Sequence, residues 1–355
     1  MYYLSAYGTE MITSTRMYQN KEVLGIPQTI SIHTGVAVED IKIIYAEINN
    51  NNNNHDDDQI LQHLGYPAPE TNNNNNDNDS RHVLHHYVAI DHATKSIVLA
   101  LRGTLSNYSR SIVDMQGTAS NFCSGKAHQG IAELAETVWD TSGDNILKLC
   151  RDNPEWQHYR FLITGHSLGA GAACLLNLKL HLEGQLGDRP ICCYAFAPPP
   201  TFRPCVEPSS RKTKVDLAIQ NTVGYIHDND IVPFLSISSV RRLATLLDAV
   251  DNETEKCVFW ERWRMFHDFD KIPQPLIDSV LVAETKSHEP AVEGACHLII
   301  PARVVVWCKP NFVGMLEAHK CDPHKVAALN VYLNPNMLSD HLPETYEDAL
   351  DALGA

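Results

Sequence analysis

The stretch Tyr159–Gly171 reads YRFLITGHSLGAG: an apolar, strand-like run, a Gly-x-Ser-x-Gly turn and the start of a helix of small residues. Gly165 and Gly169 have no Cβ atom, so the chain can turn sharply from strand to helix. Such a turn lifts Ser167 to the end of a sheet with its hydroxyl exposed. The stretch predicts a nucleophile elbow formed by Gly165, His166, Ser167 and Gly169.

The residues on either side of the turn favour this interpretation. Phe161, Leu162 and Ile163 read as a buried strand, and Ala170 to Leu178 read as a helix that is buried on most of its surface. A bare Gly-x-Ser-x-Gly pattern recurs by chance, so a turn without chemistry stays as the alternative.

Composition restricts the classes of partner. The 355 residues include 43 acidic and 28 basic side chains, a net charge of -15. This charge argues against binding to nucleic acid or to a strongly anionic membrane, and it predicts that any lipid contact is mainly hydrophobic. The sequence contains no uninterrupted run of about 18 apolar residues, so it predicts no transmembrane span.

The cellular location is predicted from the start of the chain and from its cysteines. MYYLSAYGTEM has no basic region followed by an apolar one, so it does not read as a signal peptide. The ten cysteines contain no C-x-x-C spacing, and several lie in apolar runs. We expect a cytoplasmic protein, with a peripheral membrane or lipid droplet position left open.

The chain divides by composition into an N-terminal segment, 1–80, and a folded domain, 81–355. The first contains two Asn-rich tracts, 49–58 and 72–79, which are too polar to bury and are expected to be disordered. Residues 29–45 predict either a strand or an amphipathic helix.

Strand-like and helical runs alternate through the folded domain. HHYVAI and SIVLALRG predict an antiparallel hairpin, and FLI, ICCYAFA and TVGYI predict further strands separated by helices. This alternation predicts an α/β fold with a mainly parallel central sheet and helices on both faces. Together with the nucleophile elbow, the expected form is the α/β-hydrolase fold. Functional groups are then expected beyond the carboxyl ends of the strands.

A serine nucleophile in this fold is followed along the chain by an acid and then by a histidine. Asp230 is the preferred acid because it follows the strand TVGYI and precedes Ile-Val-Pro. Asp228 is the alternative, and both could instead be solvated turn residues.

Six histidines follow the acid, and His341 is the preferred base. It is expected on a loop between an apolar strand, 327–333, and a terminal helix that begins near Pro343. His297 is expected to begin a strand and so to face the opposite edge of the sheet. His319 and His324 flank Cys321, but this ligand set is incomplete, and no metal or cofactor is expected.

The tetrahedral intermediate also needs amide donors. The N–H of Leu168, the residue after the nucleophile, is one by construction. Thr104, which follows the strand SIVLAL, is assigned as the second, with a plain strand-ending turn as the alternative.

From about Tyr87 to Ala352 the chain resembles class 3 lipases, the family of fungal triacylglycerol lipases and diacylglycerol lipases. The resemblance rests on five segments in order: LALRGT, HQG at 128–130, GHSLGAG, NDIVPFL and MLSDHLPETY. It implies a nucleophile at Ser167, an acid at Asp230, a base at His341, oxyanion donors at Thr104 and Leu168, and a mobile lid at about 105–126.

A further segment, about 236–296, is predicted to be an insertion, because the acid and the base are farther apart than one more strand requires. Its aromatic cluster, Phe259 to Phe266, includes Trp260 and Trp263 and could dock to a membrane or form a helix packed on the core.

The expected function is hydrolysis of carboxylic ester bonds in diacylglycerol or triacylglycerol through an acyl-enzyme. The expected partner is a lipid ester at a membrane or droplet surface. Phospholipase A1 or short-chain esterase activity on the same residues is the first alternative, and a noncatalytic lipid-binding module is the second.

Overall fold

The computed structural model describes residues 26–45, 83–103, 119–205, 210–255, 257–258, 274–287, 297–329 and 334–354. Several sequence predictions therefore lie outside the described residues. They are the two Asn-rich tracts, Thr104, the lid portion 105–118 and the aromatic cluster 259–266.

The described residues form strands and helices in alternation. The strands are β1 (Ile41–Tyr45), β2 (His86–Asp91), β3 (Ser96–Leu101), β4 (Ala119–Phe122), β5 (Gly125–His128), β6 (Arg160–His166), β7 (Ile191–Phe196), β8 (Phe202–Pro204), β9 (Thr222–His227), β10 (Val304–Pro310) and β11 (Leu316–Cys321). The helices are α1 (Ile26–Thr34), α2 (Gln129–Asp152), α3 (Leu168–Glu183), α4 (Ser210–Gln220), α5 (Ile237–Thr254), α6 (Gln274–Ser287), α7 (Pro323–Ala327) and α8 (Pro343–Leu353).

Eight of these strands form one sheet, in the order β1-β2-β3-β6-β7-β9-β10-β11. The five strands from β3 to β10 in this order run parallel, whereas β1, β2 and β11 are antiparallel at the two edges. The predicted β2–β3 hairpin is present, with His86 opposite Leu101 and Asp91 opposite Ser96. A small second sheet, β4-β5-β8, includes residues 119–126 of the predicted lid.

Helices cover both faces of the large sheet, as the α/β-hydrolase fold requires. Successive strand residues point to opposite faces. Leu99 and Leu101 of β3 belong to the core packed under α2, α3 and α4, whereas Ala100 packs on the other face with Ile30 of α1. Farther along that face, Phe196 of β7 packs against Tyr346 of α8.

Three sequence predictions of local structure differ from the molecule. Residues 29–45 contain both alternatives, since α1 ends at Thr34 and β1 begins at Ile41. His297 does not begin a strand: β10 starts at Val304, and nearby Ile299 forms an isolated bridge with Phe202.

The strand predicted from Ala327 is wrong where residues are described. Pro323 to Ala327 form α7, whose start is capped by the Asp322 side chain accepting from the N–H of His324 at 2.7 Å. Val326 and Ala327 are buried, so their apolar character reflects one face of a short helix. Residues 330–333 lie outside the described part.

Helices α5 and α6 pack against each other within the predicted insertion. The division of the chain at 80 and the insertion at about 236–296 stay predictions. Among the described residues, no helix is both long and apolar enough to cross a membrane.

Candidate active site

The turn between β6 and α3 holds Ser167 in an unusual backbone conformation, with φ 56° and ψ -125°. Such a conformation is costly for a residue with a side chain and persists when the surroundings impose it. A Cβ on Gly165 would lie 2.5 Å from the carbonyl oxygen of Gly169, and a Cβ on Gly169 would lie 2.7 Å from that of Leu101. Both glycines are therefore required by the close approach of β6, α3 and β3.

Ser167, His341 and Asp230 form a continuous chain of hydrogen bonds. The Ser167 Oγ lies 2.9 Å from Nε2 of His341, and Nδ1 of His341 lies 2.9 Å and 3.0 Å from the two carboxylate oxygens of Asp230. A carboxylate only accepts, so Nδ1 carries the proton and Nε2 accepts from the serine hydroxyl. His341 is thus held in the tautomer that a general base needs.

Asp230 is fully buried and is held by more than His341. Its Oδ1 accepts from the backbone N–H of Val232 at 2.9 Å, and its Oδ2 accepts from the hydroxyl of Tyr346 at 2.5 Å. These bonds offset the cost of burying a carboxylate. Sequence reasoning did not assign a role to Tyr346, although MLSDHLPETY ends on it; its position near the start of the helix after His341 was the available signal.

The backbone of Asp228, the alternative acid, is hydrogen-bonded to β10. Its N–H donates to the carbonyl of Cys308 at 2.8 Å, and its carbonyl accepts from the indole of Trp307 at 2.8 Å. Partial burial, and then the negative charge of Asp340, raise the pKa of the Asp228 carboxyl above its ordinary value. Since the single proton on Nδ1 of His341 is shared with Asp230, the geometry favours Asp230 as the acid.

The loops that carry the acid and the base are tied together. The Asp340 carboxylate accepts from the backbone N–H of Asn229 at 3.2 Å and from its side-chain amide at 3.3 Å. Each partner is the immediate neighbour of Asp230 or His341, so this contact fixes the spacing between the two loops.

His166 lies beside the base. Its ring centroid is 4.8 Å from that of His341 and 5.6 Å from that of Tyr346. Complete burial lowers the pKa of His166 well below its ordinary value, and proximity to His341 lowers it further. A neutral ring therefore packs against His341 without adding a charge.

The predicted oxyanion donors lie at the end of β3 and the start of α3. Leu168 is the first residue of α3, and N–H groups in the first turn of a helix have no partner within the helix. The helix dipole adds partial positive charge there. Leu101 at the end of β3 is paired with Gly165, so β3 ends beside the elbow. Thr104 lies outside the described residues, and both donor roles stay predictions.

Residues 98–239 match the family described as Lipase (class 3). This segment resembles the class 3 lipases. The match confirms the family resemblance seen in the sequence. The matched segment contains Ser167 and Asp230 and ends before His341, whose hydrogen bonds join it to both of these residues.

The chain is also similar to diacylglycerol lipase-alpha of Rattus norvegicus, at 24% identity over 301 residues, 75% of this chain and 27% of that protein. The secreted mono- and diacylglycerol lipase A of Penicillium cyclopium is 30% identical over 163 residues, 43% of this chain and 47% of that protein. The crystal structure of mono- and diacylglycerol lipase from Aspergillus oryzae overlaps 42% of this chain and 52% of its own, at 27% identity and a TM-score of 0.34. The chain thus spans about a quarter to a half of the length of these relatives.

Proposed function

We propose that the chain is a serine-dependent lipase that hydrolyses carboxylic ester bonds of acylglycerols. The observation that carries the proposal is the hydrogen-bonded series Ser167, His341 and Asp230 at the end of the sheet. The names of the relatives, diacylglycerol lipase and mono- and diacylglycerol lipase, favour a diacylglycerol substrate, and triacylglycerol is the other acylglycerol proposed.

In the first half of the reaction, the Oγ of Ser167 attacks the ester carbonyl carbon while its proton passes to Nε2 of His341. Asp230 stabilises the imidazolium through Nδ1 and keeps the ring in place. The negative carbonyl oxygen is met by the N–H of Leu168 and by the donor proposed at Thr104. The C–O bond then breaks, and the leaving alcohol takes the proton from Nε2.

In the second half, water replaces the alcohol. His341 takes a proton from the water as its oxygen attacks the acyl-enzyme, and the fatty acid leaves when the Ser167 oxygen recovers that proton. Ser167 is the nucleophile of the first half and water that of the second, while His341 acts first as base and then as acid in both.

Labelling with a fluorophosphonate probe tests the nucleophile. The probe should modify Ser167, and Ser167→Ala should abolish labelling and lower turnover by about a millionfold. Ser142→Ala is a matched control, because Ser142 forms another Ser–His pair: its Oγ lies 2.6 Å from Nε2 of His86, whose Nδ1 contacts a carbonyl, not a carboxylate. Labelling of another serine, or activity retained in Ser167→Ala, would overturn the proposal.

Competition by substrates during labelling tests the substrate class. Diacylglycerol and triacylglycerol should protect Ser167 at lower concentration than phospholipids or soluble short-chain esters. Protection by phospholipid alone would assign phospholipase A1 activity, and protection by short esters alone would assign an esterase. We also propose that the reaction takes place at a membrane or lipid droplet surface and that the protein is cytoplasmic.

A further inference from the structure

The hairpin that joins β10 to β11 ends in three exposed apolar side chains. Phe312 is 100% exposed, Val313 is 64% exposed and Met315 is 66% exposed. We call residues 311–315 the apolar tip. Three large apolar residues together at a hairpin end are unusual, because such turns usually carry polar residues. The cost of exposing them suggests that they have a partner.

The apolar tip is a turn held by hydrogen bonds within residues 311–315. The Asn311 side-chain oxygen accepts from the N–H groups of Val313 and Met315, each at 3.0 Å. The N–H of Asn311 donates to the Met315 carbonyl at 2.7 Å, and Gly314, with φ +81°, donates to the Asn311 carbonyl at 2.9 Å. With these polar groups satisfied inside the turn, the backbone can enter an apolar medium at reduced cost.

The apolar tip lies at the edge of the sheet that carries the candidate site. Strands β6, β7, β9 and β10 are parallel neighbours in this order, so Ser167 after β6 and the tip after β10 leave the sheet at the same edge. Three strand spacings separate β6 from β10, about 14 Å. The tip and Ser167 therefore lie beyond the same edge of the sheet, a few strand widths apart.

Charge indicates what kind of surface fits. Residues 310–316, PNFVGML, contain no charged side chain. The nearest charges on the two strands, Lys309 and Glu317, are directly opposite each other and cancel. A partner recognised through phosphate groups or through acidic side chains would need net charge here, whereas an acyl layer would not.

We propose that the apolar tip inserts into the acyl region of a lipid surface and brings that surface to the edge of the sheet where Ser167 lies. The inference rests on the proposed function, since an acylglycerol substrate is presented by such a surface. Leu342, 40% exposed and adjacent to His341, lies at the same edge and adds apolar area. The contact is hydrophobic, so it does not depend on anionic lipid.

The test is vesicle binding by the full chain carrying Ser167→Ala, which removes turnover from the measurement. Sedimentation with phosphatidylcholine vesicles containing diacylglycerol should show binding that is insensitive to added phosphatidylserine and to salt. Adding Phe312→Ser, Val313→Ser and Met315→Ser together should weaken binding by at least about tenfold, the value expected when one such side chain loses its burial. Leu217→Ser is the matched control: Leu217 is 54% exposed on α4, near the opposite edge where β9 begins, and binding should not change.

Two measurements keep this inference separate from the proposed function. Circular dichroism melting should be unchanged in the triple variant, and with Ser167 intact the variant should retain hydrolysis of a soluble short-chain ester while losing hydrolysis of vesicle-borne diacylglycerol. The lipid role of the tip is excluded if the Ser167→Ala chain does not bind vesicles, or if the triple variant binds them as tightly as that chain does. This conclusion holds whether or not the unmodified chain hydrolyses esters. If the triple variant instead converts a dimer to a monomer without affecting vesicles, the tip contacts a second copy and the lipid proposal is wrong. The proposed function fails separately if the chain without substitutions hydrolyses no ester at all.

Discussion

The hydroxyl of Tyr346 donates to Oδ2 of Asp230 at 2.5 Å, on the carboxylate whose Oδ1 faces Nδ1 of His341 at 2.9 Å. Tyr346 lies near the start of α8, the helix that directly follows the His341 loop. The segment that supplies the base therefore also fixes the acid. We infer that Tyr346 is a positioning residue for Asp230.

Tyr346→Phe should lower kcat for a soluble ester by about tenfold and leave KM unchanged, because one hydrogen bond to a charged group is lost while the pocket is kept. Without this donor, more of the carboxylate charge is directed at His341. Tyr225→Phe, in the same aromatic cluster, is the control. An unchanged kcat, or a loss confined to KM, would limit Tyr346 to packing.

The choice between the two acids is open to a direct comparison of variants. Asp230→Asn should reduce kcat by about 10⁴, since an amide favours the wrong tautomer of His341. Asp228→Asn should cost less than about tenfold, because the bonds of Asp228 that define this turn come from its backbone. Steady-state kinetics on a soluble ester measure both, and equal losses would contradict the assignment of Asp230.

Gly169→Ala should destabilise the protein by about 1–3 kcal/mol, because the new methyl group would collide with the backbone of Leu101 and Arg102, which cannot move without disturbing β3. Gly130→Ala is the matched control. The nearest atoms to its added Cβ are 3.8 Å away in a helix, so the change should be neutral or stabilising by up to about 1 kcal/mol. Urea denaturation measures both, and a tolerated Gly169→Ala would show that the elbow is looser than described.

Stability should fall as the pH is lowered below about 6.5. Burial, aided by His85, lowers the pKa of His86 to about 4, although a bond to the Leu84 carbonyl opposes the shift. The unfolded chain then binds more protons than the folded one between about pH 4 and pH 6.5, so the free energy of unfolding rises with pH across this window. From pH 7.5 to 6.0 the loss due to His86 should be about 1 kcal/mol.

Urea denaturation of His86→Gln at the same two pH values checks this. The amide can still bond to Ser142 but does not titrate, so the difference between the two pH values should shrink by about that amount. An equal pH dependence in both proteins would show that His86 is charged, or not buried, in the folded state.

The sequence predicted the elements whose cause is local. The elbow follows from two glycines around a serine between apolar runs, and β2 and β3 follow from two alternating runs with a short turn. Asp230 follows β9 as predicted, whereas the strand expected before His341 is absent from the described residues 327–329. The structure nevertheless brings His341 into contact with both Asp230 and Ser167. Their catalytic roles stay predictions.

The remaining features depend on pairing between distant segments. The position of Tyr346 shortly after His341 places it near the site but does not indicate that its hydroxyl meets Asp230. Asp340 likewise meets Asn229 only because two loops share one edge of the sheet. The error at Ala327 has a different origin, since a short apolar run is compatible with a buried strand and with one face of a short helix. The exposure of Phe312 could not be predicted either, because a large apolar residue is usually buried.

The chain leaves the sheet at the end of β9 and returns to it at β10, which is parallel to β9. Val304 lies beside Val223, and Cys308 lies beside His227. The intervening chain thus starts and ends on neighbouring strands. Each doubling of such a connection adds only about 0.6 kcal/mol of closure entropy. This connection can consequently be lengthened at little cost, so it is a suitable place for the insertion of a new recognition segment.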